Sequence, residues 1–372
     1  MKLNALLSTL LLCSTTTTAI TFALPDVNTL KSRLTDSYTE TLHTLASIPV
    51  PQFLKDLHDP ISASPLLSLH RSLISIPSVS GSELEVSKYL ASYLTSKNFT
   101  VETQSVPGFN GDRQNIYAYI GTNRTTHTLI TSHIDTVPPF IPYKAAHSTI
   151  YGRGSNDAKG SVASQVLAVE ELIAAGTLHE GDISLLYVVG EEITGDGMAA
   201  VNDLGLSWNT VIFGEPTENK LAVGHKGIIK FNIVAHGKAS HSGYPQLGIN
   251  ANSALIKALA VIDSLKLPRS ETLGESTINI GLIDAGVAVN VISAKATARG
   301  MIRVAGDYDE TVQILRDSVK DIPVELEVED VGYGPVELDH DVAGFQHIIC
   351  SYGTDVPHLK GEHKAYLYGP GS

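Results

Sequence analysis

Apolar residues recur at helical spacing in SGSELEVSKYLASYLTSKNF, where Leu84, Val86, Tyr89, Leu90, Tyr93 and Leu94 predict a helix capped by Ser80 or Ser82. The period then changes. NIYAYIG, HTLITSHID, DISLLYVVGEE and TVIFGEPT are short runs rich in β-branched and aromatic residues, and between them GSVASQVLAVEELIAAG regains a helical period at Val162, Val166, Val169 and Ile173. Strands alternating with helices predict an α/β domain with a mainly parallel sheet and flanking helices. From about Leu221 the pattern becomes two-sided: GIIKFNIVAHG, TINIGLIDAG and KATARGMIRVA read as strands, with helical NANSALIKALAVIDSL and DYDETVQILRDSVKDI between them. That is a smaller α+β module interrupting the first domain. After Tyr333-Gly334-Pro335, FQHIICSYGTDVP and EHKAYLYGPGS are expected to rejoin the first domain. The expected boundaries are 65–221 and 334–372 for the first domain and 222–333 for the insertion.

Composition narrows the function classes. The 372 residues are 43% hydrophobic and 17% charged, which suits a globular chain with a sizeable core and excludes a multi-span membrane protein. A formal net charge of -13, without a Lys/Arg stripe, argues against nucleic acid as a partner. The N-terminus has Lys2, an apolar run from Ala5 to Cys13, and small polar residues ending in Thr21-Phe22-Ala23. Residues 1–23 are therefore expected to be a secretory signal peptide, followed by an extension over 24–64; the apolar run is too short for a stable membrane anchor. Sequons at Asn98 and Asn123 fit a secreted glycoprotein. Cys13 would leave with the signal, so Cys350 has no internal partner and no thiolate cluster can hold a metal.

The chemistry gathers at predicted strand ends, where open parallel sheets bind ligands. LITSHID places His133 and Asp135 there, GRGSNDAKGS places Asp157 in a Gly-rich loop before a helix, VVGEE supplies Glu191 and Glu192, and FGEPT supplies Glu215. Singly, each has a plain structural reading: a histidine satisfied by its acid, a turn aspartate, a loop glutamate. Together they place many like charges in one region, which is prohibitively costly without cations. Carboxylates plus one imidazole suit a pair of divalent ions such as Zn, Mn or Co.

SHIDTVP, GRGSNDAKGS, GEEITGDG, GEPT, HGKASHSGYPQLGINA and NVIS, in this order and spacing, resemble the M20 family of metallopeptidases, which includes glutamate carboxypeptidase, acetylornithine deacetylase and aminoacylases. The resemblance runs from about Pro65 to the end. It implies a catalytic domain with two bridged metals, interrupted by a lid or dimerisation domain that makes a homodimer. It also implies that His133 and Glu215 hold one metal, Asp157 bridges both, Glu192 holds the second, Asp135 orients His133, and Glu191 is the general base. His241 matches the histidine that the inserted domain delivers to the reaction centre, and Asn290 and Arg303 match contacts to a substrate carboxylate or oxyanion. His225 and Lys226 receive no role beyond a hinge strand.

The expected function is a secreted metal-dependent carboxypeptidase acting on short peptides. Two rivals stand beside it: an N-acyl-amino-acid amidohydrolase, and an inactive peptide- or metal-binding protein. The last rests on the end of the chain, because the family continues beyond YLYGPGS to a further metal-ligating His. His358 and His363 precede that turn and are not expected to replace it, so weak binding of the second metal and poor turnover are expected of this chain.

Overall fold

All six residues of the strand Ile183–Val188 are buried, because both faces of the sheet around it are covered. The structure, a computed structural model, describes residues 64–108, 112–146 and 149–372; the segment 1–23 and nearly all of the 24–64 extension lie outside them.

The first domain contains strands β1 (Phe99–Ser105), β2 (Gln114–Ile120), β3 (Thr128–His133), β4 (Ile183–Val188) and β5 (Thr210–Phe213), with helices α1 (Pro65–Ser75), α2 (Leu84–Ser96), α3 (Lys159–Ala174) and α4 (Asp196–Val201). The chain continues through β6 (Leu221–His225), β7 (Gly227–His236), α5 (Ala251–Asp263), β8 (Thr277–Ala285), β9 (Lys295–Val304), α6 (Tyr308–Val319) and β10 (Glu325–Val328), and returns through β11 (His347–Cys350) and β12 (Lys364–Leu367). The central sheet has the order β1-β2-β4-β3-β5-β12. Four neighbouring strands, β4, β3, β5 and β12, are parallel, and β2 and β1 extend the sheet antiparallel at one edge.

The period of two along each strand sorts its side chains between two cores. Ile116, Ile130, Leu185 and Ile212 face Leu73, Leu90 and Val166 of α1, α2 and α3. Tyr117, Leu129, Leu186 and Val211 face Met198, Trp208 and the returning segment at Leu338 and Val356. Helix α3 is buried over most of its surface, so its apolar residues are not confined to one stripe. One local expectation fails: α2 is preceded by Glu83 and has no side-chain cap. Ser80 instead donates to Asp135 Oδ2 at 2.7 Å, because a fully buried carboxylate needs the hydroxyl more than a solvent-facing helix end does.

The inserted module is an antiparallel sheet of order β8-β9-β7-β10 with α5 and α6 on one face. Burial alternates along β7: Ile229, Phe231 and Ile233 pack against the helices, while Ile228 and Lys230 take the opposite face. The chain leaves and re-enters the first domain side by side, since β11 pairs parallel to β6 and β12 pairs parallel to β5. Among the described residues no helix is long and apolar enough to cross a membrane.

Candidate active site

Strands β3, β4 and β5 end together, so parallel pairing alone brings the segments after them to one sheet edge. His133, the last residue of β3, is fully buried. Its Nε2 lies 3.0 Å from Asp157 Oδ1 and 3.8 Å from Glu215 Oε1, and its Nδ1 lies 3.1 Å from the Asp135 carbonyl oxygen. One ligand atom each from His133, Asp157 and Glu192 come within 4.8 Å of one another.

These groups strain each other's protonation. Burial drives Glu191 and Glu215 well above the usual carboxylate range; His133 offsets part of this, and neighbouring acids add to it. Burial also pushes Glu192 up to about 7, against the pull of His133. Burial opposes charge on His133, but the Glu215 carboxylate and the bonds to Asp135 and Asp157 outweigh it and hold the ring well above its ordinary value. Acids crowded around one buried imidazole are a fitting receptacle for a divalent ion, and the oxygen-and-imidazole donor set agrees.

The two aspartates are the exceptions: against burial, His133 holds Asp157 below its ordinary value, and Asp135 is held down more widely. Burial pushes the Asp135 carboxyl up, yet His133, Ser80 and the Glu192 amide hold it below the ordinary value. It accepts the Glu191 N–H at 3.1 Å through Oδ1 and the Glu192 N–H at 3.2 Å through Oδ2. One buried carboxylate therefore orients both the histidine and the backbone of the glutamate pair. The far side of that loop is held by a second buried network. Arg113 grips Asp196 with two parallel bonds of 2.6 and 3.0 Å and reaches Glu83 at 3.2 Å. Glu83 in turn accepts the Gly81 N–H at 2.9 Å, beside Ser80. Gly190 has φ +76°, and a Cβ there would run into the Arg113–Asp196 pair, so the turn that launches Glu191 needs glycine.

A cavity of about 340 Å³ opens over the cluster. Asp157, Glu191, Glu192 and Glu215 form one wall, and Ile228, Lys230, Met301 and Arg303 of the inserted sheet form another.

The relatives decide which family this constellation belongs to. Residues 223–327 match the family model for the peptidase dimerisation domain of M20 enzymes. An M20 domain-containing peptidase of Schizosaccharomyces pombe is 49% identical over 312 residues, covering 82% of this chain and 77% of that protein. The chain belongs to the M20 family of metallopeptidases. A probable carboxypeptidase of Aspergillus niger is 44% identical over 88% of each M20 chain. Among solved structures, an M20 metallo-carboxypeptidase from Sulfolobus solfataricus superposes with TM-score 0.66 at 18% identity, covering 82% of this chain and 92% of that one. A Staphylococcus aureus tripeptidase gives TM-score 0.67 at 21% identity, covering 82% and 89%. The mainly parallel sheet interrupted by a separate module is thus the M20 fold.

Within this M20 chain the predicted residues separate into two places. His133, Asp135, Asp157, Glu191, Glu192 and Glu215 converge, and Arg303 faces them across the cavity. His241 and Asn290 do not line this cavity in one protomer. Both are exposed and adjoin each other, with His241 opposite Val291 and the Asn290 carbonyl accepting the Ser242 N–H at 3.0 Å. Sequence proximity could not reveal this, since His241 lies on a short strand and Asn290 in the turn before its partner strand, at the far end of the insertion from Arg303. His358 lines the cavity and His363 does not; neither joins the cluster of His133, Asp157 and Glu192.

The structure adds residues that the sequence did not single out. Lys230, Tyr333, Tyr352 and Asp355 line the cavity, and Asp355, pushed up to about 7 by burial despite His133, has an Oδ1 with no hydrogen-bond partner. His225 is buried with Nε2 3.1 Å from Thr354 Oγ1, and burial drives it down to about 4. A neutral imidazole there packs beneath the Thr354-Asp355 turn. Asn98 and Asn123 are exposed in the first domain, and Cys350 is buried with Sγ 3.3 Å from Tyr352 Oη.

Proposed function

We propose that this M20 metallopeptidase is a secreted carboxypeptidase that hydrolyses the amide bond next to the free carboxylate of short peptides. The observation that carries this reading is Arg303, which faces the acid cluster across one cavity and has no carboxylate within ion-pair distance among the described residues. An unpaired guanidinium fork matches a terminal carboxylate in two parallel bonds.

His133 and Glu215 would hold one metal, Glu192 a second, and Asp157 both, with zinc the ion that best suits imidazole and carboxylate together. When bound, divalent metals supply Lewis-acid polarisation of the scissile carbonyl and a more acidic water. The remaining work falls to the chain. Asp135 fixes His133 and the loop amides, Glu191 accepts a proton and passes it to the departing amine, and Arg303 orients the substrate by its carboxylate.

His241 belongs to this mechanism if it is delivered by a second copy of the chain. Support comes from β8, the exposed edge of the inserted sheet, where Leu282 and Ile283 are 62% and 61% exposed on a module of the dimerisation type. Secretion is supported by the apolar run of residues 5–13 with its small-residue site at 21–23, and by the exposed sequons at Asn98 and Asn123. Export also suits peptide scavenging better than intracellular amino-acid biosynthesis.

The test compares N-blocked dipeptides with N-acetyl amino acids on zinc-loaded full-length protein. Faster cleavage of the dipeptides is expected; a preference for the N-acetyl amino acids would assign the site to an amidohydrolase instead.

A further inference from the structure

The inserted wall of the cavity carries two cations where one would hold a terminal carboxylate. Strands β7 and β9 pair antiparallel, with Lys230 opposite Met301 and Ile228 opposite Arg303. Lys230 and Arg303 are therefore diagonal neighbours on the face turned away from the helices, a relationship that separates residues by roughly 7–8 Å. Both line the cavity across from Glu191 and Glu215. Among the described residues neither has a carboxylate within ion-pair distance, whereas Arg113, Arg299 and Lys97 all do. Lys230 donates one bond, 3.0 Å to the Ile193 carbonyl, which tethers its stem to the loop following the glutamate pair and leaves the other ammonium donors uncommitted. A ligand that brings an anion to this ammonium gains a charge-assisted hydrogen bond that no side chain here already makes.

We propose that Lys230 selects peptides whose C-terminal residue carries a side-chain carboxylate. Arg303 takes the α-carboxylate and Lys230 the carboxylate of a terminal Glu or Asp, so that two fixed cations read two anions on one residue. The proposal rests on the carboxypeptidase reading of the site. It adds that the residue cut off is acidic.

The test measures kcat/KM of the zinc-loaded protein on N-blocked dipeptides ending in Glu and in its uncharged isostere Gln, for wild type, Lys230→Met and Lys230→Arg. Wild type is expected to favour Glu by about tenfold or more, Lys230→Met to bring the ratio near one, and Lys230→Arg to keep most of it. Calorimetric binding of free glutamate and glutamine to the same proteins reads recognition without turnover and should follow the same order. Equal wild-type rates and affinities for the two, or equal losses for both in Lys230→Met, would overturn the proposal and leave Lys230 as a tether of the Ile193 loop. If no dipeptide is cleaved but glutamate still binds better than glutamine in a Lys230-dependent way, the carboxypeptidase reading fails while the recognition by Lys230 stands.

Discussion

Asp135 Oδ1 accepts the backbone N–H of Glu191 at 3.1 Å, so the acid behind the histidine also sets where the glutamate pair begins. The neighbouring Glu192 N–H on Oδ2 completes the clasp, and adjacent side chains on the turn diverge from there. Asp135→Asn exchanges one acceptor oxygen for an amide NH₂ that must face an N–H or the Ser80 hydroxyl. Loss of about 10–100-fold in metal affinity is expected, with turnover falling at least as far. Metal titration with a chelating indicator checks it, and unchanged affinity would separate Asp135 from the metal site.

Glu191 and Glu192 should part company on mutation. Glu191→Gln is expected to keep its full metal complement and lose nearly all turnover, whereas Glu192→Gln loses metal. Elemental analysis of both purified variants beside kcat decides this. Equal metal loss in the two would mean that the adjacent acids do not have separate tasks.

Arg113 should matter for stability out of proportion to its distance from substrate. Its side chain and that of Glu83 are fully buried, so Arg113→Met leaves Glu83 uncompensated and frees the Asp196 end of the catalytic loop. A cost of about 3–5 kcal/mol is expected from breaking a buried ion pair on one side. Urea unfolding measures it; a change below about 1 kcal/mol would show that the network contributes no more than a surface pair.

The metal-free protein should lose stability as pH rises. A carboxyl near 4.5 in the unfolded chain stands at about 7 for folded Glu192, so the folded state holds the extra proton between those values. The stabilisation is fully present below about 4.5 and is lost as pH rises through about 7. His133, Glu191 and Glu215, all raised, act in the same sense. Urea midpoints of chelator-treated protein are expected to fall from about pH 5 to about pH 8, and zinc to restore them most at the alkaline end. A midpoint that climbs over that interval would contradict the mutual strain of the cluster.

Delivery of His241 across a dimer predicts complementation. His241→Ala alone should lower kcat about 10²–10³-fold. After subunit exchange with Glu191→Gln, half of the dimers would hold one intact composite site, restoring about a quarter of wild-type activity. No recovery, in a mixture shown by mass to have exchanged, would leave His241 serving its own chain or none.

The sequence by itself determined the strand runs that carry the site and the acids that follow them, because both are local matters; it left Pro65–Ser75, Phe99–Ser105 and Glu325–Val328 unread. Strand runs such as ISLLYV bury every side chain and so read as nearly continuous apolar stretches, and the residues just after them fall at one sheet edge whenever the strands are parallel. The tertiary structure alone decided what meets across the chain. Ser80 looked like a helix cap and serves Asp135; Lys230, Asp196 and Glu83 carried no signal in the sequence, yet Lys230 lines the cavity and the two acids are clasped by Arg113. His241 and Asn290 matched a motif but sit outside the cavity of their own protomer. The physical reason is that a hydrogen bond or an ion pair depends on separation in space, and partners lying 55 residues apart, as Ser80 and Asp135 do, leave no periodic trace in the sequence between them.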